Sequence, residues 1–290
     1  MDRRQEEANT PSSHQLRCME VWGGNQSVDV GFEVTGIEGW IHSLPYHGAP
    51  RGGDVHFVSM CGGGRISRFC VADVSGHGED VADLARHLRR LMRRHVNKVD
   101  QTQFARTLNR SFLKKADRGR FATALLATYF APLHSFAVCN IGHPRPYLYR
   151  SRTARWQALA AEGSNPEHSL GNIPFGVIQQ TEYQQFQVEL EPEDIVVITS
   201  DGVAETRNAA GEFFGEQRLL ECLRSTTDPS PQGIAAEIRA SIDRFAGSRP
   251  PHDDRTLMIL RHNASEPPPL TLGHRLKMVA KMMGLTPSDA

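Results

Sequence analysis

The chain has 290 residues, of which 39% are hydrophobic and 23% charged, and its thirty-three Lys and Arg balance thirty-three Asp and Glu. That length and apolar content suffice for one large folded domain or two small ones, and the neutral balance leaves no global field to recruit nucleic acid or an anionic membrane. No apolar run approaches the roughly 18 residues of a membrane span, and the polar start MDRRQEEANT has no signal-peptide core. A cytoplasmic protein with no membrane span and no nucleic-acid partner is therefore expected. Cys18, Cys61, Cys70, Cys139 and Cys222 are scattered and odd in number, with no CxxC pair. This argues against a disulfide framework or a zinc site and predicts reduced thiols, mostly in the core.

Residues 1–17 are polar and rich in Ser, Pro, Asn and charge, which predicts a frayed tail ahead of a domain over 18–262. Apolar and β-branched runs bounded by glycines predict strands over 39–44, 55–60 and 66–73. From 79 to 96 the period changes to helical: Val81, Leu84, Leu88, Leu91 and Met92 share one face, with Arg86, Arg89, Arg90, Arg93 and Arg94 mostly on the other. A solvated basic face is the ordinary reading of those arginines, and a site for nucleic acid or a phosphorylated partner is the alternative. A second helix is expected over 102–115, on the spacing of Phe104, Leu108 and Phe112, packed beside the first.

Strand patterns resume over 121–130, 136–140, 147–149, 156–159, 183–190 and 195–200, followed by helices over 216–224 and 233–245 and a last strand over 256–260. Blocks of strands alternating with paired helices favour an α+β sandwich over a doubly wound sheet. Residues 263–290 are expected to be a linker, ASEPPP, followed by a C-terminal helix in which Leu272, Leu276, Val279 and Met283 make an amphipathic stripe between Arg275, Lys277 and Lys281. Composition leaves open whether that helix docks on its own domain, on a partner or on a membrane surface.

Four acidic positions stand at strand ends or in glycine-rich turns: Asp54 in GGDVHF, Asp73 in ADVSGHG, Asp201 before Gly202, and the pair Asp253 and Asp254. An Asp where an apolar strand runs out is held by buried backbone yet reaches the mouth of the fold, and an adjoining Gly lets a ligand approach the main chain. Carboxylates converging with carbonyls and waters suit Mg²⁺ or Mn²⁺ rather than zinc. Two such ions activate a water and clamp a phosphoryl group. GGDVHF also superficially matches the GGDEF signature of cyclic di-GMP cyclases. The Glu is missing, however, and only about fifty residues precede the motif.

Six motifs in order, GGDVHF, ADVSGHG, FATALLATYF, CNIGHPRP, ITSDGVAETRN with GEFFGEQRL after it, and DDRTLMIL, resemble those of the bacterial PP2C-type (PPM) serine/threonine phosphatases of the SpoIIE/RsbU group, over about residues 39–261. The resemblance implies a four-layer αββα sandwich, two antiparallel sheets flanked by helix pairs, with two divalent metal ions, Mn²⁺ or Mg²⁺, in a cleft at one end. Carried over residue by residue, it makes Asp73 the bridge between both metals. The Val74 carbonyl and the Asp54 carboxylate complete one metal, and Asp201 and Asp253 bind the other. Asp254, where relatives carry Asp or Asn, is either an alternative ligand or a supporting group. Ser200 and Ala72 stand where relatives often have Thr and Gly.

In animal-type relatives a His two residues after the bridging Asp is taken as the general acid. Here that place is Ser75, which leaves His77 or a water for the role. His143 is expected to form a turn, and Glu205 either to order neighbouring groups or simply to start a surface helix. The expected activity is hydrolysis of phosphoserine or phosphothreonine by direct attack of a metal-activated water, without a phosphoenzyme. The implied substrate is a STAS-domain anti-sigma-factor antagonist in a partner-switching pathway. The alternative is a pseudophosphatase scaffold that binds a phosphoprotein without turnover. With few residues ahead of the first motif, control is expected from a separate sensor or activator protein, from a homodimer, or from the C-terminal helix.

Overall fold

A computed structural model describes residues 13–18, 20–76, 79–96, 98, 100–116, 119–159, 173–247, 249–267 and 269. Two stacked sheets form its centre. The first has seven strands in the spatial order β1 (His14–Gln15), β3 (Val28–Val34), β4 (Ile37–Leu44), β13 (Arg255–His262), β12 (Ile195–Thr199), β9 (Tyr147–Arg150) and β10 (Arg155–Ala158). The second has six, in the order β11 (Phe186–Glu189), β8 (Ser135–Ile141), β7 (Ala122–Phe130), β6 (Ile66–Val74), β5 (Val55–Cys61) and β2 (Val21–Gly24). All pairings are antiparallel except β1 with β3.

Three apolar layers hold this together, and side-chain alternation along each strand sorts residues between them. Val58, Phe69, Val71, Leu125 and Tyr129 of the second sheet meet Ile41, Val196, Ile198, Met258 and Leu260 of the first. On the outer face of the second sheet, Val55, Phe57, Cys70, Ala72 and Val74 pack on helices α1 (Glu79–His95) and α2 (Gln101–Leu113) through Val81, Leu88, Met92, Phe104 and Phe112. On the outer face of the first, Trp40, Val197 and Ile259 pack on α4 (Gly215–Ser225) and α5 (Pro231–Ala246) through Leu219, Leu223, Ile234 and Ile238. The fold is thus the four-layer αββα sandwich, and strand β12 is buried along its whole length because both faces are covered.

Local chemistry starts the helices. The Asp100 side chain caps α2 by accepting from the N–H of Thr102 at 2.9 Å and of Gln103 at 3.0 Å. Ser230 caps α5 through the Gly233 N–H, with Pro231 at the first helical position.

The structure extends the sequence reading in three places. Residues 14–15, assigned to the tail by composition, pair with β3, and strands β2 and β3 were not anticipated. The alternation of Val28, Val30, Phe32 and Val34 is a strand signal, whereas the two glycines of VWGG hide β2. A one-turn helix α3 (Asp201–Ala204) follows β12 where only a turn was expected. Cys70, Cys139 and Cys222 are buried and all five thiols are free. No helix among the described residues is long and apolar enough to cross a membrane. The expected C-terminal helix, the first twelve residues and His77 lie outside the described residues.

Candidate active site

The carboxylates gather where the apolar layer between the sheets runs out at one pole. By alternation, Asp73 shares the inner face of β6 with Phe69 and Val71, and Asp54 continues the inner face that carries Val58. The β5/β6 hairpin pairs Val55 with Ala72, so one step outward Asp54 stands opposite Asp73, where Gly53 O accepts from Val74 N at 3.4 Å. From the other sheet, β12 delivers Ser200 and Asp201, and the start of β13 delivers Asp253 and Asp254.

Hydrogen bonds stitch the two sheets across this pole. Ser200 Oγ donates to Asp54 Oδ2 at 2.7 Å and accepts from Thr256 N at 2.9 Å, while Ser200 N donates to Thr256 O at 2.9 Å. Both oxygens of Asp254 are engaged: Oδ1 accepts from Tyr46 N at 2.6 Å, and Oδ2 accepts from Gly53 N at 2.5 Å and Asp54 N at 3.3 Å. Of its two anticipated roles, ligand or supporting group, this geometry favours the second. Glycine is required beside it, because a Cβ on Gly52 would lie 2.3 Å from the Asp254 carboxylate and one on Gly202 would lie 2.0 Å from the Asp254 carbonyl.

Burial and mutual repulsion both act on the carboxyls of this cluster. Burial raises the Asp54 carboxyl well above its ordinary range, with the charge of Asp254 adding to it. Burial, then the charges of Asp54, Asp201, Asp253 and Asp254, push Asp73 up to about 9. Asp253 is pushed to about 6 chiefly by burial, and Asp201 is also raised by burial. Carboxylates gathered at one pole, with no ion pair to a basic side chain among the described residues, have the chemistry that a hard divalent ion takes, and its charge would relieve that repulsion. Among the described residues no three His, Cys, Asp or Glu side chains form a closed ligand set for one ion.

The surrounding residues fall into place around this cluster. Val74 is fully buried, and its carbonyl lies 2.9 Å from where a Gly53 Cβ would stand. Glu205 ends α3 instead of starting a helix; it is exposed, and its carboxyl is raised by burial and by Asp201. His143 is held in a turn by Asn140, whose side chain accepts from His143 N and donates to His143 O, both at 2.8 Å. Its Nδ1 lies 3.0 Å from Thr123 Oγ1, and Thr123 faces Asp73 across β6 and β7. Burial holds His143 down at about 3, so it serves as a neutral structural group. Ser75, two residues after Asp73, has its N–H and Oγ tied to Phe121 and its carbonyl tied to Arg120 Nη1 at 2.9 Å. Arg120 and Thr256 carry no sequence signal of their own; register alone brings them here.

Residues 63–263 match the SpoIIE family, described as stage II sporulation protein E. The chain is 28% identical over 163 residues to the phosphoserine phosphatase RsbU of Bacillus subtilis, an overlap of 56% of this chain and 45% of that protein, so the match covers less than half of the curated relative. The structure of the PP2C phosphatase domain of SpoIIE from Bacillus subtilis with a fragment of its regulatory domain aligns with a TM-score of 0.64 at 17% identity, over 79% of this chain and 64% of that one. The catalytic domain of the serine threonine protein phosphatase PstP, in complex with two manganese ions, aligns with a TM-score of 0.55 at 14% identity, over 78% and 97%. These structural likenesses establish the PP2C fold. With the family matched over more than two-thirds of its length, the chain belongs to the SpoIIE family of PP2C-type proteins.

Proposed function

We propose that the chain is a metal-dependent protein serine/threonine phosphatase acting on phosphoserine or phosphothreonine of a regulatory protein. The observation that carries this reading is the convergence of Asp54, Asp73, Asp201 and Asp253 at one pole of the sandwich, where burial raises every one of them. Family membership and the phosphatases among the relatives support the same activity.

In this reading Asp73 serves two divalent cations, Mn²⁺ or Mg²⁺. Asp54 and the Val74 carbonyl complete one site, and Asp201 and Asp253 the other. When bound, the ions supply charge for the phosphoryl group and lower the pKa of water for in-line attack.

The chain's own residues do the rest. Asp254 holds the Tyr46, Gly53 and Asp54 backbone in place through three N–H groups, and Ser200 fixes the orientation of the Asp54 carboxylate. The resemblance to RsbU supports a phosphorylated STAS-domain anti-sigma-factor antagonist as substrate, a cytoplasmic partner-switching pathway, and control by a separate activator or by dimerisation.

The test is hydrolysis of p-nitrophenyl phosphate and a phosphoserine peptide with Mn²⁺, Mg²⁺ or EDTA, comparing wild type with Asp73→Asn. Metal-dependent turnover lost in the variant is expected. A folded protein without turnover under any metal would instead mean a missing activator or a phosphoprotein-binding scaffold, and a metal titration by calorimetry would choose between them.

A further inference from the structure

Beside the carboxylate cluster, the surface carries an apolar patch that the core does not explain. Phe121, Val177 and Ile178 are 40%, 54% and 44% exposed. They lie on two adjacent segments, because Ala122 and Phe175 exchange backbone hydrogen bonds of 2.9 and 2.8 Å. Gly176 then packs so closely that its Cβ would sit 2.7 Å from the Arg120 carbonyl.

The patch is held from beneath. The buried Asn109 of α2 accepts from Gly176 N at 3.0 Å and donates to Ile178 O at 2.7 Å, clamping the loop on both sides of Val177. A loop fixed this firmly, with its apolar side chains turned to solvent, is arranged for contact rather than left loose. The patch reaches the rim of the site, since Phe121 is bonded through its N–H and C=O to Ser75, two residues beyond Asp73.

Its other border is basic. Arg110, Lys114 and Lys115 on and just after α2 are exposed, and none has a carboxylate partner among the described residues. Arg106, one turn earlier, is paired with Glu182. Between α2 and the loop lies an open groove of about 460 Å³ lined by Thr107, Arg110, Ser111, Leu113, Lys114 and Gln179. Apolar side chains next to cations that have no carboxylate partner among the described residues complement a segment that carries both apolar and acidic residues.

We infer that Val177, Ile178 and the Arg110 and Lys114 groove form the docking surface for the protein substrate, engaging an apolar and acidic segment next to its phosphorylated residue. The inference rests on the phosphatase reading and adds to it the chemistry of what is recognised. Docking here lowers KM for the protein substrate and leaves the reaction of a small phosphate ester untouched, because neither side chain pair belongs to the carboxylate cluster.

The test is fluorescence anisotropy in EDTA with two labelled phosphoserine peptides, one flanked by Leu, Val and Glu, the other by Gly and Ser. p-Nitrophenyl phosphate turnover with Mn²⁺ is measured in parallel. The apolar and acidic peptide is expected to bind at least about fivefold more tightly, roughly 1 kcal/mol, an advantage lost in Val177→Ser with Ile178→Ser and also in Arg110→Glu with Lys114→Glu. Ester turnover in both variants is expected to stay within about twofold of wild type. Equal binding of the two peptides, no binding, or a preference that survives both variants overturns the docking surface. Selective binding without any ester turnover leaves the surface standing and counts against the phosphatase reading for the chain acting without an activator. Self-association that both variants abolish, with no peptide preference, assigns the patch to a second copy of the chain and also overturns the inference.

Discussion

The Asp254 carboxylate accepts the backbone N–H of Gly53 at 2.5 Å, tying the start of β13 in one sheet to the loop ahead of β5 in the other. Tyr46 N and Asp54 N share the same carboxylate, so one side chain from the first sheet sets where Asp54 enters the cleft of the second.

Removing that carboxylate takes away the acceptor of the buried Gly53 and Asp54 N–H groups and of the half-buried Tyr46 N–H. Asp254→Ala is expected to lose on the order of 3 kcal/mol of stability, since a hydrogen bond to a charged group contributes about 1.5–3 kcal/mol. Urea unfolding of the metal-free protein measures it. A midpoint unchanged from wild type would show that the loop is held by something else.

Ser200 bridges Asp54 Oδ2 and Thr256 N within the buried pole. Ser200→Ala frees the Asp54 carboxylate to rotate, so Mn²⁺ affinity is expected to weaken by about tenfold, the range seen when groups that orient metal ligands are removed. Ser200→Thr keeps the hydroxyl and should retain most of the affinity. Calorimetric titration with Mn²⁺ compares the three proteins.

Protons and cations compete for the same carboxylates. Asp253 at about 6 and Asp73 at about 9 hold protons in the metal-free protein that an entering cation must displace. Mn²⁺ affinity should therefore rise as pH increases from 6 towards 9, with proton release on binding. Titration in two buffers of different ionisation enthalpy reads the released protons, and a pH-independent affinity would contradict the assignment.

His56 is fully buried, neither ring nitrogen has a hydrogen-bond partner among the described residues, and burial depresses it to about 4. Its folded pKa lies below the unfolded value of 6.5. The unfolded chain thus takes up the proton first, and stability present above 6.5 is lost as pH falls towards 4. Between pH 6.5 and 5 wild type should lose about 1.6 kcal/mol that His56→Phe does not, the slope approaching roughly 1.4 kcal/mol per unit once the unfolded His is protonated. The difference between the two proteins cancels the carboxylates, which act in the opposite direction in metal-free protein. A constant offset in urea midpoint across this range would show that His56 does not titrate on unfolding.

Much of the architecture was legible because burial imposes periodicity. Val81, Leu84, Leu88, Leu91 and Met92 mark α1, and all five are buried. The alternating strands and the order of the acidic motifs led to the sandwich and to Asp54, Asp73, Asp201 and Asp253. Less legible were short or glycine-bearing strands. β2 pairs with β5 through two glycines with no side chains to reveal the alternation, and β1 is two residues whose place depends wholly on β3.

The sequence by itself singled out the acidic residues proposed for the site, because acidic groups at the ends of apolar strands stand out against their surroundings. What Asp254 does was decided only by the tertiary structure. Nothing in DDRTLMIL distinguishes Asp253 from Asp254, yet the three N–H groups that converge on Asp254 come from 200 or more residues away in sequence. The same holds for Phe121, Val177 and Ile178, whose exposure beside the site follows from the pairing of Ala122 with Phe175 and the grip of Asn109. Periodicity records whether a residue is buried. Which groups meet across the pole is set by the registers of two sheets packed against each other, and those long-range contacts leave no local trace in the chain.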